Sequence, residues 1–327
     1  MTKTLFTHQD KSTLSQYLVG KGLIQSIAQI VEIEKVGDSN MNFTVRVKLI
    51  DRSFILKQSK PYVEKYPQIP APENRVSIEG QFYDLVGKSE ALSQQMPNIL
   101  YSDHDQDVLI LEDLGELSSY EKLYAREKVE KGEIEKLIDW LRALHLLEFS
   151  DKQKQTLENR EMRLLNHEHI FDLPLKRENG IDLDQFTPGL QEASEFLKKN
   201  ELYVNRVKEL GELYLKNGHY LLHGDYYPAS WLKKEEDLFI IDAEFAFFGV
   251  REFDLGVMLG HLILSRQNQS LVQFTHQCYS ELDESLVNAY AGVEIMRRLI
   301  GVAQLPIQVT LDQKKEWLKL SEKFVLG

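Results

Sequence analysis

Apolar and polar residues alternate along Val31–Val36 and again along Phe43–Leu49; after the turn Asp51-Arg52-Ser53 comes the run Phe54–Lys57. Successive strand side chains point to opposite faces, so this pattern predicts a three-stranded antiparallel meander with one face in a core. Ile99–Tyr101 and Val108–Leu111, joined by Asp103-His104-Asp105, predict two further strands. Ahead of the meander, Leu14, Leu18, Leu23, Ile24 and Ile27 are spaced as on one or two short helices, and a main helix is predicted from about Val76 to Val86. From Leu117 the period turns helical: Ile134, Leu137, Ile138, Leu141, Leu144 and His145 mark one face of a long helix. Residues 191–216, the stretch from Phe253 and the stretch around Glu294 also read as helices, interrupted by two short apolar strands at Leu221-Leu222 and Leu238–Ile241. Two stretches resist both periods. Residues 60–75 hold Pro61, Pro67, Pro70 and Pro72 and are expected to be a connector or lid, neither strand nor helix interior. Residues 150–190 are polar, broken by Pro174, Gly180, Pro188 and Gly189, and read as a variable insertion that could border a substrate cleft. The pattern predicts an α+β chain: a small antiparallel sheet lobe with one main helix over 1–114, and a larger, mainly helical lobe over 115–327.

Composition narrows the functional classes. The 327 residues are enough for two lobes and are 43% hydrophobic, as in ordinary globular proteins. No apolar run reaches membrane-spanning length, and Met1–Phe6 carries no apolar signal core. The single cysteine, Cys278, excludes an internal disulfide and a cysteine metal cluster. A cytoplasmic protein without a membrane partner is expected. The net charge of −12 argues against a nucleic-acid partner. A homodimer is kept as an option for the assembly.

Candidate chemistry gathers at the two late strands. Leu221-Leu222-His223-Gly224-Asp225 and, seventeen residues past Asp225, Asp242-Ala243-Glu244 each deliver acids at the end of an apolar strand. Three carboxylates near one point call for positive charge, and a divalent cation with oxygen ligands, Mg²⁺ with its attendant phosphate, suits them. The spacing is that of kinase-type phosphoryl transfer: an Asp, a metal-binding side chain five residues on (here Ser230), and a second Asp on the next strand.

Earlier residues fit the same scheme. Gly37-Asp38-Ser39-Asn40-Met41-Asn42 between two strands is placed to cover nucleotide phosphates with backbone N–H groups; Gly37, Ser39 and Asn40 are the candidates. Lys57 ends the third strand, where a kinase-type lobe holds its phosphate-pairing lysine, and Glu79 is the candidate partner on the following helix. Glu112-Asp113-Leu114-Gly115 reads as a hinge whose backbone at Glu112 and Leu114 would meet an adenine ring. His145 is read as a core residue, His167-Glu168-His169 lacks zinc-helix spacing, and Asp254 is read as a cap or buttress. Arg297 and Arg298 point about 100° apart on a helix, so one of the pair is expected to face a given site.

These stretches, together with Leu56-Lys57-Gln58, Asp242–Phe247, Phe253-Asp254-Leu255-Gly256 and Met296-Arg297-Arg298-Leu299-Ile300-Gly301, resemble the aminoglycoside phosphotransferase and choline kinase superfamily. Within it the chain looks most like the methylthioribose kinase branch, over about residues 30–305. The resemblance implies a protein-kinase-like two-lobe fold and transfer of the γ-phosphoryl group of ATP to a small-molecule hydroxyl with Mg²⁺. It implies Asp225 as base, Lys57 as phosphate clamp, Asp242 and Glu244 as metal ligands with Ser230 assisting, and Arg297 and Arg298 as substrate-binding residues. Tyr226-Tyr227-Pro228-Ala229 stands where that branch has Leu-His-Thr-Gly, and Glu64-Lys65-Tyr66-Pro67 replaces an expected Trp-containing loop. Both positions border the sugar site, so the acceptor stays open among methylthioribose or a related pentose, an aminoglycoside and an amino alcohol. A nucleotide-binding pseudokinase is the alternative outside catalysis.

Overall fold

A computed structural model describes residues 3–37 and 41–327. The chain forms two compact units, Met1–Leu117 with Asp242–Phe245, and Ser118–Ile241 with Ala246–Gly327.

In the first unit, α1 (Lys11–Gly20) precedes β1 (Ile30–Lys35), β2 (Phe43–Leu49) and β3 (Ser53–Gln58); Asp10 caps the start of α1, its side chain accepting from the Thr13 amide. A short hairpin follows, β4 (Tyr62–Val63) with β5 (Tyr66–Pro70), then α2 (Arg75–Val86), α3 (Glu90–Ser93), β6 (Ile99–Asp103) and β7 (Val108–Glu112). The sheet order is β1-β2-β3-β7-β6, antiparallel throughout. Its inward residues, Val45, Val47, Leu56, Val108 and Ile110, pack with Leu14 and Leu18 of α1, as the alternation requires. The hairpin at residues 60–75 corrects the expectation that this proline-rich stretch holds no strand. A two-stranded ribbon has only edges, where the missing N–H of Pro67 and Pro70 leaves no central ladder broken.

The second unit opens with β8 (Ser118–Ser119), then α4 (Lys131–His145), α5 (Asp151–Thr156), α6 (Arg160–His167), α7 (Leu190–Lys199) and α8 (Glu201–Leu215). Residues 150–190, read as a variable insertion, carry α5, α6 and the π-helical turn Glu168–Asp172, whose Ile170 and Phe171 are buried. Met162 of α6 is buried as well, while Leu164 stays exposed. β9 (Tyr220–Leu222) pairs with β12 (Phe247–Gly249), and β10 (Trp231–Lys234) forms a hairpin with β11 (Asp237–Ile240) and also pairs with β8. The unit closes with α9 (Glu252–Leu264), α10 (Gln269–Cys278), α11 (Glu284–Ile300) and α12 (Leu311–Leu326).

α9 and α11 approach closely at two glycines of α9. A Cβ on Gly256 would lie 2.6 Å from the Tyr290 Cβ, and one on Gly260 would lie 2.9 Å from the Glu294 Cβ. The two glycines, one turn apart on α9, let it press against α11. No helix among the described residues is long and apolar enough to cross a membrane.

Candidate active site

Two groups of side chains carry the candidate chemistry, one in each unit. In the first unit, β3 delivers Lys57 and α2 delivers Glu79, 2.7 Å apart and both buried. Lys57 Nζ also pairs with Asp242. Burial works against the ammonium, but Asp242 and Glu79 outweigh it and hold the Lys57 pKa above its ordinary value. Tyr83, one turn after Glu79, donates its hydroxyl to the Glu79 carboxylate at 3.1 Å and accepts the Asp242 amide at 3.2 Å. Asp242 sits at φ 66°, a left-handed conformation that a non-glycine residue adopts rarely. Its side chain stays 46% exposed, so its carboxylate has an open side.

Glu244 is placed differently. It is buried; Asn42 Nδ2 donates to its Oε2 at 2.9 Å, and Arg75 Nε lies 3.4 Å away. Burial, reinforced by Asp242 and Glu79, pushes its carboxyl up to about 7 against the pull of Arg75 and Lys57. Mg²⁺ is implied by the resemblance, and the donors fit it unequally. Asp242 offers an outward carboxylate, whereas Glu244 faces a fully buried guanidinium that needs a counter-charge.

Arg75 and Asn42 are contributors that sequence reasoning missed. Arg75 donates to the Asn42 side chain (3.0 Å) and to the backbone carbonyls of Met41 (2.8 Å), Lys60 (3.1 Å) and Pro72. It thereby ties the end of the 37–42 loop to the start of α2. Its position one helical turn before Glu79 was the available signal. Gly37 is exposed at φ 58°, while Ser39 and Asn40 lie outside the described residues. Of the Glu112 backbone, expected to meet an adenine, the amide donates to the Asn98 carbonyl at 2.8 Å. Asn98 lies just before β6, and with this bond in place the amide of Glu112 is already donating within the protein. Asp113 fixes the turn into half-buried Leu114 by accepting from the Gly115 amide (3.0 Å) and the Ser53 hydroxyl (2.6 Å).

In the second unit, Asp225 follows Gly224, which turns at φ 85°. Asp254 of α9 accepts the amides of His223 (2.8 Å) and Gly224 (3.0 Å), so one buried carboxylate fixes the loop backbone. His145 lies 3.3 Å from the same carboxylate and 3.0 Å from the Tyr279 hydroxyl, a packed residue with both ring nitrogens engaged. The His223 ring donates from Nε2 to the Ile241 carbonyl at 3.0 Å. Ser230, expected to assist a metal, is buried and donates its hydroxyl to the Asp225 backbone carbonyl at 3.1 Å. It closes the loop after Asp225. Tyr226 enters the core, stacked on Trp140 with ring centroids 5.7 Å apart.

Both arginines reach Asp225. Arg297 Nη2 lies 3.4 Å and Arg298 Nη2 lies 3.7 Å from Asp225 Oδ1. This corrects the expectation that one of the pair would face the site. Glu294, three and four residues earlier on α11, accepts from the Nε of each and turns both guanidinium groups the same way. Burial raises the Asp225 pKa, and Arg298 and Arg297 restrain the rise. Behind Glu294 stands His261, whose Nε2 donates to it at 2.8 Å and whose Nδ1 accepts from the Tyr124 hydroxyl at 2.6 Å. Tyr227 lies over both His261 and Arg298. The positions of His261 and Tyr124 left no sequence signal, because their partners are far away in the chain.

Comparison with known proteins bears on the family and the fold. The chain is 25% identical to a methylthioribose kinase of Bacillus velezensis over 99% of its length and 94% of the relative's. Among solved structures it resembles spectinomycin phosphotransferase in complex with ADP and spectinomycin, at a TM-score of 0.57 and 15% identity, covering 99% of each chain. It also resembles the choline kinase LicA from Streptococcus pneumoniae, at a TM-score of 0.53 and 11% identity, covering 98% of this chain and 99% of that one. The fold is the kinase-like α+β fold. Residues 32–290 match the profile of the phosphotransferase enzyme family, and the chain belongs to that family as a small-molecule kinase acting on a hydroxyl group.

Proposed function

We propose that this chain is an ATP-dependent kinase of a neutral, sugar-like acceptor, methylthioribose or a related pentose. The observation that carries this reading is the balance of charge around Asp225. Two guanidinium groups face it, Glu294 holds both, and with Asp225 ionised the four charges cancel. A cationic amine acceptor finds no surplus of carboxylate there, whereas ring hydroxyls find guanidinium donors and a base. The relatives that carry the name methylthioribose kinase support the same class.

The chemistry follows from what each side chain can do. Asp225, fixed through its loop by Asp254, orients the acceptor hydroxyl and takes its proton as the oxygen–phosphorus bond forms and the bond to the departing ADP breaks. Lys57, aimed by Glu79, holds the α- and β-phosphates. Asp242 is the residue that would hold Mg²⁺, which when bound offsets charge on the phosphate oxygens. No enzyme side chain is phosphorylated along the way; positioning does most of the work.

The test is a coupled ADP-release screen with Mg·ATP over methylthioribose, other pentoses, choline and aminoglycosides. Turnover confined to the neutral sugars is expected. Preferential turnover of choline or an aminoglycoside refutes the acceptor class, and nucleotide binding without turnover of any acceptor favours a pseudokinase.

A further inference from the structure

We propose that Glu294 is a positioning residue for the phosphoryl acceptor, a buried clamp that aims Arg297 and Arg298 together at the space beside Asp225, with His261 and Tyr124 fixing the clamp from behind. The proposal rests on the acceptor reading above.

Both oxygens of Glu294 are engaged. Oε2 accepts from Arg297 Nε, and Oε1 accepts from Arg298 Nε at 2.8 Å and from His261 Nε2 at 2.8 Å. The choice of Nε matters. A carboxylate that gripped the Nη ends would turn the guanidinium groups back on the helix. One that grips Nε leaves Nη2 of each arginine pointing onward, and both Nη2 atoms approach the same oxygen, Asp225 Oδ1. Helix geometry explains how one residue does this. Positions three and four residues on straddle the residue before them, so neighbours about 100° apart can both bend back to it.

The second layer fixes the carboxylate. An ionised Glu294 only accepts, so His261 must carry its proton on Nε2. Its Nδ1 is then an acceptor, and it meets the Tyr124 hydroxyl at 2.6 Å. The imidazole is fully buried and its pKa falls to about 4, chiefly through burial, so it remains neutral and adds no charge to the arginine pair. Tyr227 packs over the same imidazole at 5.0 Å and over the Arg298 guanidinium at 5.1 Å. The close approach of α9 to α11 at Gly260, the residue before His261, sets the ring against Glu294.

A carboxylate that merely neutralised two buried arginines would predict a different outcome from the same variants. The experiment compares Glu294→Gln, His261→Phe and His261→Gln with wild type for kcat, for KM of the acceptor and of ATP, and for the arginine Nε–H resonances by NMR. Glu294→Gln is expected to raise the acceptor KM at least tenfold while the ATP KM stays within twofold. It should also abolish the slowly exchanging Nε–H signals of Arg297 and Arg298. His261→Phe should raise the acceptor KM in the same selective way, and His261→Gln, whose amide can still donate to Glu294, should recover most of the loss. An unchanged acceptor KM in Glu294→Gln, or equal rises for acceptor and ATP, overturns the proposal. If wild type phosphorylates none of the acceptors, the acceptor reading has failed. The Nε–H resonances then decide the clamp alone: their absence in wild type overturns it, and their loss in Glu294→Gln and His261→Phe supports it.

Discussion

Lys57 Nζ and Glu79 Oε1 lie 2.7 Å apart with the carboxylate wholly withdrawn from solvent and the lysine nearly so. An ion pair in that setting is costly to break, because removing one partner strands the other in a low-dielectric interior. Lys57→Met is therefore expected to lower the unfolding free energy by about 3–5 kcal/mol. The double variant Lys57→Met/Glu79→Leu should recover most of that stability and none of the activity. Urea denaturation of both variants checks the first point, and an ADP-release assay checks the second. Equal stability of the single and double variants would show that Glu79 never depended on the lysine.

Arg75 has a comparable role for the loop that ends at Asn42. A lysine there keeps the charge facing Glu244 but lacks the planar fork that reaches Asn42 and the Met41, Lys60 and Pro72 carbonyls at once. Arg75→Lys is expected to raise the KM for ATP by about tenfold, equivalent to about 1.4 kcal/mol of lost binding. The acceptor KM should change little, since Arg75 belongs to the first unit. Steady-state kinetics with each substrate varied in turn separate the two effects.

The role proposed for Asp225 as base joins catalysis to stability. Its carboxyl is raised by burial, so between the ordinary aspartate value of 3.8 and its own higher value the folded chain holds more protons than the unfolded one. Stability contributed by this group therefore falls as pH rises through that window and stays lower above it. Asp225→Asn should remove the penalty and raise the melting temperature at neutral pH. It should also lower turnover by about 10²–10⁴-fold, the usual worth of a positioned base. The acid limb of kcat/KM in wild type should lie above the ordinary aspartate range. Differential scanning calorimetry at pH 5 and pH 8, beside a pH–rate profile, measures both. A lower melting temperature for Asp225→Asn at pH 8 contradicts the assignment.

Much of this was legible in the chain because the determinants are local. Alternation along Phe43–Leu49 marks β2, and the interval from Asp225 to Asp242 marks two strand ends bearing acids. The interactions that were not legible depend on how a loop turns or on which distant element packs against it. Ser230 looked like a ligand by spacing, yet its hydroxyl closes onto the Asp225 backbone, a choice set by the loop's own turn. Glu244 looked like the twin of Asp242, yet Arg75, a residue of α2, claims it. The arginine pair misled in the other direction. Treated as free rotors on a helix they diverge, and only the carboxylate one turn earlier makes them converge. That carboxylate was within reach of a helical-spacing argument, whereas His261 and Tyr124 were not.

The contact between α9 and α11 offers a test that separates packing from positioning. Gly256 and Gly260 are one turn apart and both touch α11. A Cβ on Gly256 would meet the Tyr290 Cβ at 2.6 Å and the Val287 carbonyl at 2.9 Å, whereas one on Gly260 would meet the Glu294 Cβ and Cγ at 2.9 and 3.0 Å. Each alanine should cost about 1–3 kcal/mol by overpacking. Gly260→Ala pushes on the residue that holds both guanidinium groups, so it should raise the acceptor KM as well. Gly256→Ala pushes on the Tyr290 side, one turn away, and should leave the acceptor KM of the folded enzyme near that of wild type. Kinetics at a temperature well below both melting transitions resolve the difference. Equal acceptor KM values for the two variants would mean that α11 shifts as a rigid rod and that Glu294 gains nothing special from its neighbour.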